Sequence, residues 1–200
     1  MTREKGKAQV GKSAPSLISY NAARLRELND RLMEAFSRKP HGPEHKAACE
    51  AFRAQYDQLA FPGGLERGLA LLSEKDPDTV DTAIAFLEAD PRFFRSGYIK
   101  EKLLSRLKHV ALWQHQVQRL SRLVIRSVDG GGRREFHGYA RLAGALHAHA
   151  IAEAMHERQS SRDPEVARRA REVLHVLASR AGMERSGEGA RLSASRAVLR

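Results

Sequence analysis

Residues 76–87, DPDTVDTAIAFL, give the clearest indication of the fold class. Asp76 is of a type that caps helices, and Pro77 suits the first helical position, where its missing N–H has no helical partner. Apolar side chains then follow at i, i+4 and i+7, on one face of a helix: Val80, Ile84 and Leu87. The stretch therefore predicts an amphipathic helix that is buried on one side.

The same helical spacing of apolar residues extends over most of the 200-residue chain, and no alternating β-branched run indicates a strand. We predict an all-α protein of about eight helices in antiparallel pairs. The predicted helices cover residues 16–38, 44–59, 65–72, 76–89, 96–109, 112–128, 134–157 and 164–181. A kink is expected at Gly138 or Gly144, and a stop at Gly182. These helices are expected to form a single domain, residues 16–181, between flexible basic tails at residues 1–15 and 182–200.

The periodicity also predicts which side chains are buried. Phe36 falls on the inner face of the first helix, and Trp113 falls in line with Val117, Leu120 and Val124 on the sixth. Cys49 lies beside Phe52 and is expected to be a buried, inert thiol.

Two helix starts are alike: Asp76-Pro77-Asp78-Thr79-Val80 and Asp163-Pro164-Glu165-Val166. Over residues 76–181 this pattern resembles the helix openings of HEAT-type repeats. The resemblance implies an α-solenoid with a concave surface that binds a macromolecule. A compact, irregular helical bundle is the other architecture that the residues allow.

The basic charge is concentrated in the second half of the chain. Lys and Arg total 35 against 24 Asp and Glu, a net charge of +11, and residues 91–200 hold 22 of these basic and 10 of these acidic residues. On the sixth predicted helix, basic side chains recur at i, i+4, i+7 and i+11: His115, Arg119, Arg122 and Arg126. The fifth helix adds Lys102 and Arg106, and the run continues in Arg133, Arg134 and Arg141.

These nine residues are the candidate macromolecule-binding site, suited to nucleic-acid phosphates or an acidic protein surface. If the fifth and sixth helices pair antiparallel, their basic ridges merge. Two alternatives stay open. In the first, the acidic fourth helix, with Asp78, Asp81 and Glu88, packs beside the ridges and neutralises their charge. In the second, the excess of 26 Arg over 9 Lys reflects a GC-rich genome and not a binding site. Few aromatic residues interleave with the arginines, which argues against a base-stacking platform.

The other motifs give weaker evidence of a catalytic or metal-binding site. Residues 6–13 match the phosphate-loop pattern G-x-x-x-x-G-K-S, but no strand precedes them. His149, Glu153 and His156 share a helix face, and His45 with Cys49 is spaced for a metal, yet neither set reaches a complete ligand group. A single cysteine excludes a disulfide framework within the chain. We therefore expect no catalytic residues, metal or cofactor.

The leading hypothesis is a non-enzymatic helical interaction module, or adaptor, that docks a protein partner. The alternative is a nucleic-acid-binding protein that uses the basic ridges on phosphates. A remoter alternative is a HEAT-like DNA glycosylase. The longest nearly apolar stretch, residues 142–152, is too short to span a bilayer, and no apolar segment follows the basic start. A cytoplasmic location without a membrane partner is expected, whereas the oligomeric state is not predicted.

Overall fold

A computed structural model describes residues 14–130, 134–146 and 148–197, with side chains as far as residue 180. Every regular element in these ranges is a helix, and no described residue lies in a strand, so the all-α prediction is confirmed. The helices are α1 (Ala14–Arg38), α2 (Pro43–Ala60), α3 (Leu65–Ser73), α4 (Pro77–Ala89), α5 (Ser96–Leu107), α6 (Gln114–Asp129), α7 (Phe136–Leu146), α8 (His149–Arg158) and α9 (Pro164–Ala197).

The two Asp-Pro helix starts form as predicted. The Asp76 carboxylate accepts a hydrogen bond from the Thr79 backbone N–H at 2.9 Å and another from the Thr79 hydroxyl at 2.6 Å. Asp163 accepts a hydrogen bond from the Glu165 backbone N–H at 2.8 Å. Each aspartate thus satisfies an N–H group that the first helical turn leaves without a partner.

Packing divides the chain between Leu103 and Leu104, inside α5, into two compact units. In the first unit, α1 and α2 form a helical hairpin, α4 lies against α1, and α3 contacts both α2 and α4. Its core is apolar and comprises Ile18, Leu25, Phe52, Leu72, Val80, Ile84, Leu87 and Ile99. The predictions of a single domain and of a solenoid or bundle arrangement stay predictions.

Close packing in the first unit explains a glycine within α3. A Cβ added at Gly68 would collide with Cδ1 of Phe61. The Phe61 ring is 1% exposed and packs on Phe86 at 5.5 Å between ring centroids. Glycine therefore lets α3 approach a ring that has little room to move.

In the second unit, α6 packs against α7, α8 and α9, and α9 also packs against α7 and α8. The core of this unit consists of leucine and valine side chains of α6 together with side chains from α7, α8 and α9. The buried set includes Leu120, Val124, Val128, Phe136, Leu142, Ile151, Met155, Ala170 and Val173.

Two predicted helix limits in this unit are wrong. The helix expected over residues 134–157 is interrupted after Leu146, where Ala148 is extended before α8 begins. Gly138 and Gly144 both lie inside α7, where added Cβ atoms would crowd Leu104 and Val176 at 2.9 and 3.1 Å; the kink expected at one of these glycines stays a prediction. α9 continues through Gly182 to Ala197. A glycine inside a helix costs only about 1 kcal/mol relative to alanine and need not end it.

Candidate nucleic-acid interface

The two sides of α6 differ in polarity: one is apolar and buried, and the other is basic. Its buried side carries Leu120, Val124 and Val128, all with no exposed surface. The opposite side carries the basic residues at i, i+4, i+7 and i+11, which we call the α6 ridge: His115, Arg119, Arg122 and Arg126. Arg119 is half-buried and the other three side chains are exposed. At 1.5 Å per residue, the α6 ridge is about 16 Å long.

Acidic side chains are scarce in α6 and α7. Residues 114–146 contain only Asp129 and Glu135. Arg158 binds Asp129 through two guanidinium nitrogens, Nε to Oδ1 at 2.8 Å and Nη2 to Oδ2 at 2.9 Å. Glu135 is buried. Described residues of α6 and α7 therefore present no exposed carboxylate that lacks an arginine partner, and their other exposed charged side chains are basic.

The other candidate residues of the second unit extend this charge. Arg134 and Arg141 are exposed, the first just before α7 and the second within it. Arg122 and Arg141 form no ion pair or hydrogen bond with any part of the chain that the structure describes. Their guanidinium groups are therefore accessible to a ligand. Arg133 lies outside the described residues.

The two α5 candidates belong to different units. Lys102, in the first unit, is exposed, whereas Arg106, in the second, is half-buried. The merging of their ridge with the α6 ridge stays a prediction, as does neutralisation of the ridges by the acidic α4. The two carboxylates that flank α4 do have local roles: Asp76 caps the start of the helix, and Asp90 forms an ion pair with Lys100 at 2.5 Å.

Part of the basic excess is structural, which the sequence patterns did not indicate. Lys100 is only 3% exposed and binds the carboxylate that follows α4. Arg169 is equally buried, and its Nε donates to the backbone carbonyl of Val128 at 2.8 Å. Hydrogen bonding to Asp129 raises the pKa of the Arg158 guanidinium. Arg158 and Arg169 thus place cations at the C-terminal end of α6, where the helix dipole favours positive charge.

The expected burial of Trp113 is wrong. Its side chain is 70% exposed, because Trp113 is not in the helix but caps α6 with extended backbone, at φ −70° and ψ 154°. The helical period that would place it beside Leu120 therefore does not apply to it. Phe36, also expected to be buried, is 41% exposed near the end of α1, and Cys49 is half-buried.

The remaining motifs do not assemble a chemical site in the described residues. His149 and Glu153 are both exposed, with Nδ1 of the histidine 3.3 Å from Oε1 of the glutamate. His45 Nε2 lies 3.4 Å from the Cys49 sulfur. Across the described chain, no three His, Cys, Asp or Glu side chains are grouped to hold a metal ion. The phosphate-loop pattern at residues 6–13 and the histidine at position 147 lie outside the described residues.

No described helix combines the length and apolar character that crossing a membrane requires. Comparison of the chain with known protein families, with characterised proteins and with solved structures finds no match.

Proposed function

We propose that this chain is a helical binding module whose α6 ridge binds the sugar-phosphate backbone of a nucleic acid. The observation that supports this most is the one-sided basic surface of α6, without a competing exposed carboxylate among the described residues of α6 and α7. Arginine suits this role because its planar guanidinium matches two phosphate oxygens at once.

The proposal implies weak sequence preference and strong salt dependence. Phosphate contacts position a protein on nucleic acid but carry no direct sequence information. If the three arginines of the α6 ridge each neutralise one phosphate, the log–log slope of affinity against salt is about −2.7 for duplex and about −2.1 for single strands. The dissociation constant is expected in the range of roughly 1–100 μM at physiological salt, as for other sequence-independent binding.

The test compares two double variants that lose the same charge. Arg122→Gln plus Arg126→Gln removes two exposed cations from the α6 ridge, and glutamine keeps helix propensity close to that of arginine. Arg53→Gln plus Arg67→Gln removes two exposed cations from α2 and α3. Fluorescence anisotropy of labelled single-stranded and duplex oligonucleotides, at about 50 mM salt, measures affinity for each protein.

We expect the α6 variant to bind every oligonucleotide more weakly than the wild type, and the α2/α3 variant to bind nearly as well as the wild type. Circular dichroism checks that both variants remain helical. Equal losses for the two variants would show a general charge effect and contradict a site on α6. An absence of wild-type binding at low salt would overturn the proposal.

A protein partner is the second candidate, because the first unit exposes neighbouring apolar side chains near the end of α1. Met33 is 51% exposed and Phe36 41%, and the Phe36 ring meets His45 edge-on at 5.3 Å between centroids. Exposed apolar clusters mark protein-binding surfaces. A protein partner that binds the wild type but not Met33→Gln plus Phe36→Gln would favour this candidate. A HEAT-type arrangement of the helices would suit the same role, since such repeats bind macromolecules. The DNA glycosylase hypothesis gains no specific support from the described residues.

A further inference from the structure

We propose that Trp113 is a stacking platform for an unpaired base, so that the preferred partner is a single-stranded stretch of nucleic acid lying along the α6 ridge. This inference rests on the proposed function and adds the class of nucleic acid. It concerns the residue that caps α6 and the solvent side of the same helix, both in the second unit.

The exposure of the Trp113 ring is unusual in this chain. At 70% it exceeds that of every other exposed large apolar side chain described, the next being Tyr20 at 54%. Water solvates a flat indole poorly, and a ligand with its own flat apolar face would cover it well. Every nucleobase has such a face, which makes stacking on an aromatic ring tolerant of sequence.

The backbone of Trp113 is held firmly although its ring is in solvent. Its N–H donates to Oε1 of Gln116 at 3.0 Å, and Gln116 is only 2% exposed. Its carbonyl accepts from the backbone N–H groups of Gln116 at 2.9 Å and Val117 at 3.0 Å. A ring on a fixed backbone loses less conformational freedom on binding than one on a mobile loop.

The position of Trp113 links stacking to phosphate binding. It lies two residues before His115, so their Cα atoms are at most about 7 Å apart. The α6 ridge then continues for about 16 Å. The first turn of α6 contains no acidic side chain that would repel a phosphate. A strand with one base on the indole could therefore place its neighbouring phosphates on Arg119, Arg122 and Arg126.

A duplex does not offer the same contact, because its bases are stacked on one another and paired. Opening a base from the helix requires unstacking and unpairing, at a cost in free energy. A single strand already presents an exposed base next to a flexible backbone that can follow a charged ridge. The combination of an exposed aromatic ring and a short line of arginines thus favours single strands over duplex.

The chain contains one tryptophan, so the tryptophan fluorescence of the wild type reports on Trp113 alone. The test measures the affinities of wild type, Trp113→Ala and Trp113→Phe by fluorescence anisotropy of a labelled single-stranded oligothymidine and of a labelled duplex of equal length at low salt. Stacking should quench and saturate the wild-type fluorescence with the single strand. Trp113→Ala should bind the single strand about 5- to 140-fold more weakly, the equivalent of roughly 1–3 kcal/mol at 1.4 kcal/mol per tenfold.

Trp113→Phe keeps a stacking face and should recover most of the lost single-strand affinity, while duplex affinity should change little in either variant. Unchanged single-strand binding by Trp113→Ala would overturn the stacking inference, as would equal losses for single strand and duplex. In both cases the proposed function stands if Arg122→Gln plus Arg126→Gln still weakens binding. An absence of binding to either oligonucleotide by the wild type would overturn both proposals.

Discussion

Replacing Arg169 with methionine should destabilise the second unit, because Arg169 holds the C-terminal end of α6. The arginine side chain is 3% exposed, and its Nε donates to the Val128 carbonyl at 2.8 Å. Methionine fills similar space but donates no hydrogen bond, which leaves a carbonyl of the last helical turn without its partner. A lost hydrogen bond to a charged group of this kind costs about 2 kcal/mol, which lowers Tm by about 4–8 °C in a chain of this size.

Urea unfolding followed by circular dichroism measures this loss, and the adjacent residue provides the control. Arg168 is exposed and forms ion pairs with Glu165 at 2.9 Å and Glu172 at 3.4 Å. Surface ion pairs contribute little to stability, so Arg168→Met should hardly move the urea midpoint. A wild-type midpoint for Arg169→Met, or equal destabilisation of the two variants, would show that the hydrogen bond to Val128 does not stabilise the end of α6.

Two further substitutions test the first unit. Gly68→Ala should lower the free energy of unfolding by about 1–3 kcal/mol, because the new methyl group collides with the buried Phe61 ring. The loss is expected although alanine has a better helix propensity than glycine, and a raised urea midpoint would contradict it. Thr79→Val should lower Tm at neutral pH, since hydrogen bonds from Thr79 hold the pKa of the Asp76 carboxyl below its usual value. That contribution is present above the unfolded pKa of about 3.9 and is lost as the pH falls through the lower folded pKa. The Tm deficit of Thr79→Val should therefore shrink as the pH is lowered below about 3.9, and a deficit independent of pH would contradict this prediction.

The helical class and several helix starts could be predicted because their signals are local. An aspartate before a proline satisfies an N–H group within three residues, and the geometry at Asp76 confirms this. The basic side of α6 was also predictable, since one helix positions residues at i, i+4 and i+7 whatever it packs against.

The exposure of Trp113 was missed because helical periodicity holds only inside the helix. The spacing of Trp113, Leu120 and Val124 suggests one face, but a residue in the capping position has extended backbone and leaves that face. A local signal did exist. Gln116 stands three residues after Trp113, the spacing at which a glutamine side chain returns to the capping residue's N–H.

Sequence patterns could not predict which arginines stabilise the fold and which are accessible to a ligand. Arg158 binds a carboxylate 29 residues away, and Arg169 binds a carbonyl 41 residues away. Contacts across such separations depend on how α8 and α9 pack against α6, which local propensity does not define. Only the folded second unit shows that Arg158 and Arg169 have structural partners whereas Arg122 is exposed.

Phosphate binding by the α6 ridge is best tested by the salt dependence of single-strand binding. Affinities of the wild type and of Arg122→Gln plus Arg126→Gln, measured from about 50 to 200 mM salt, each give a log–log slope. Each phosphate contact that is removed should reduce the magnitude of the single-strand slope by about 0.7, so the slope of the double variant should be smaller in magnitude than that of the wild type by about 1.4. Equal slopes for the two proteins would show that Arg122 and Arg126 contact no phosphates, and would overturn phosphate binding by the α6 ridge.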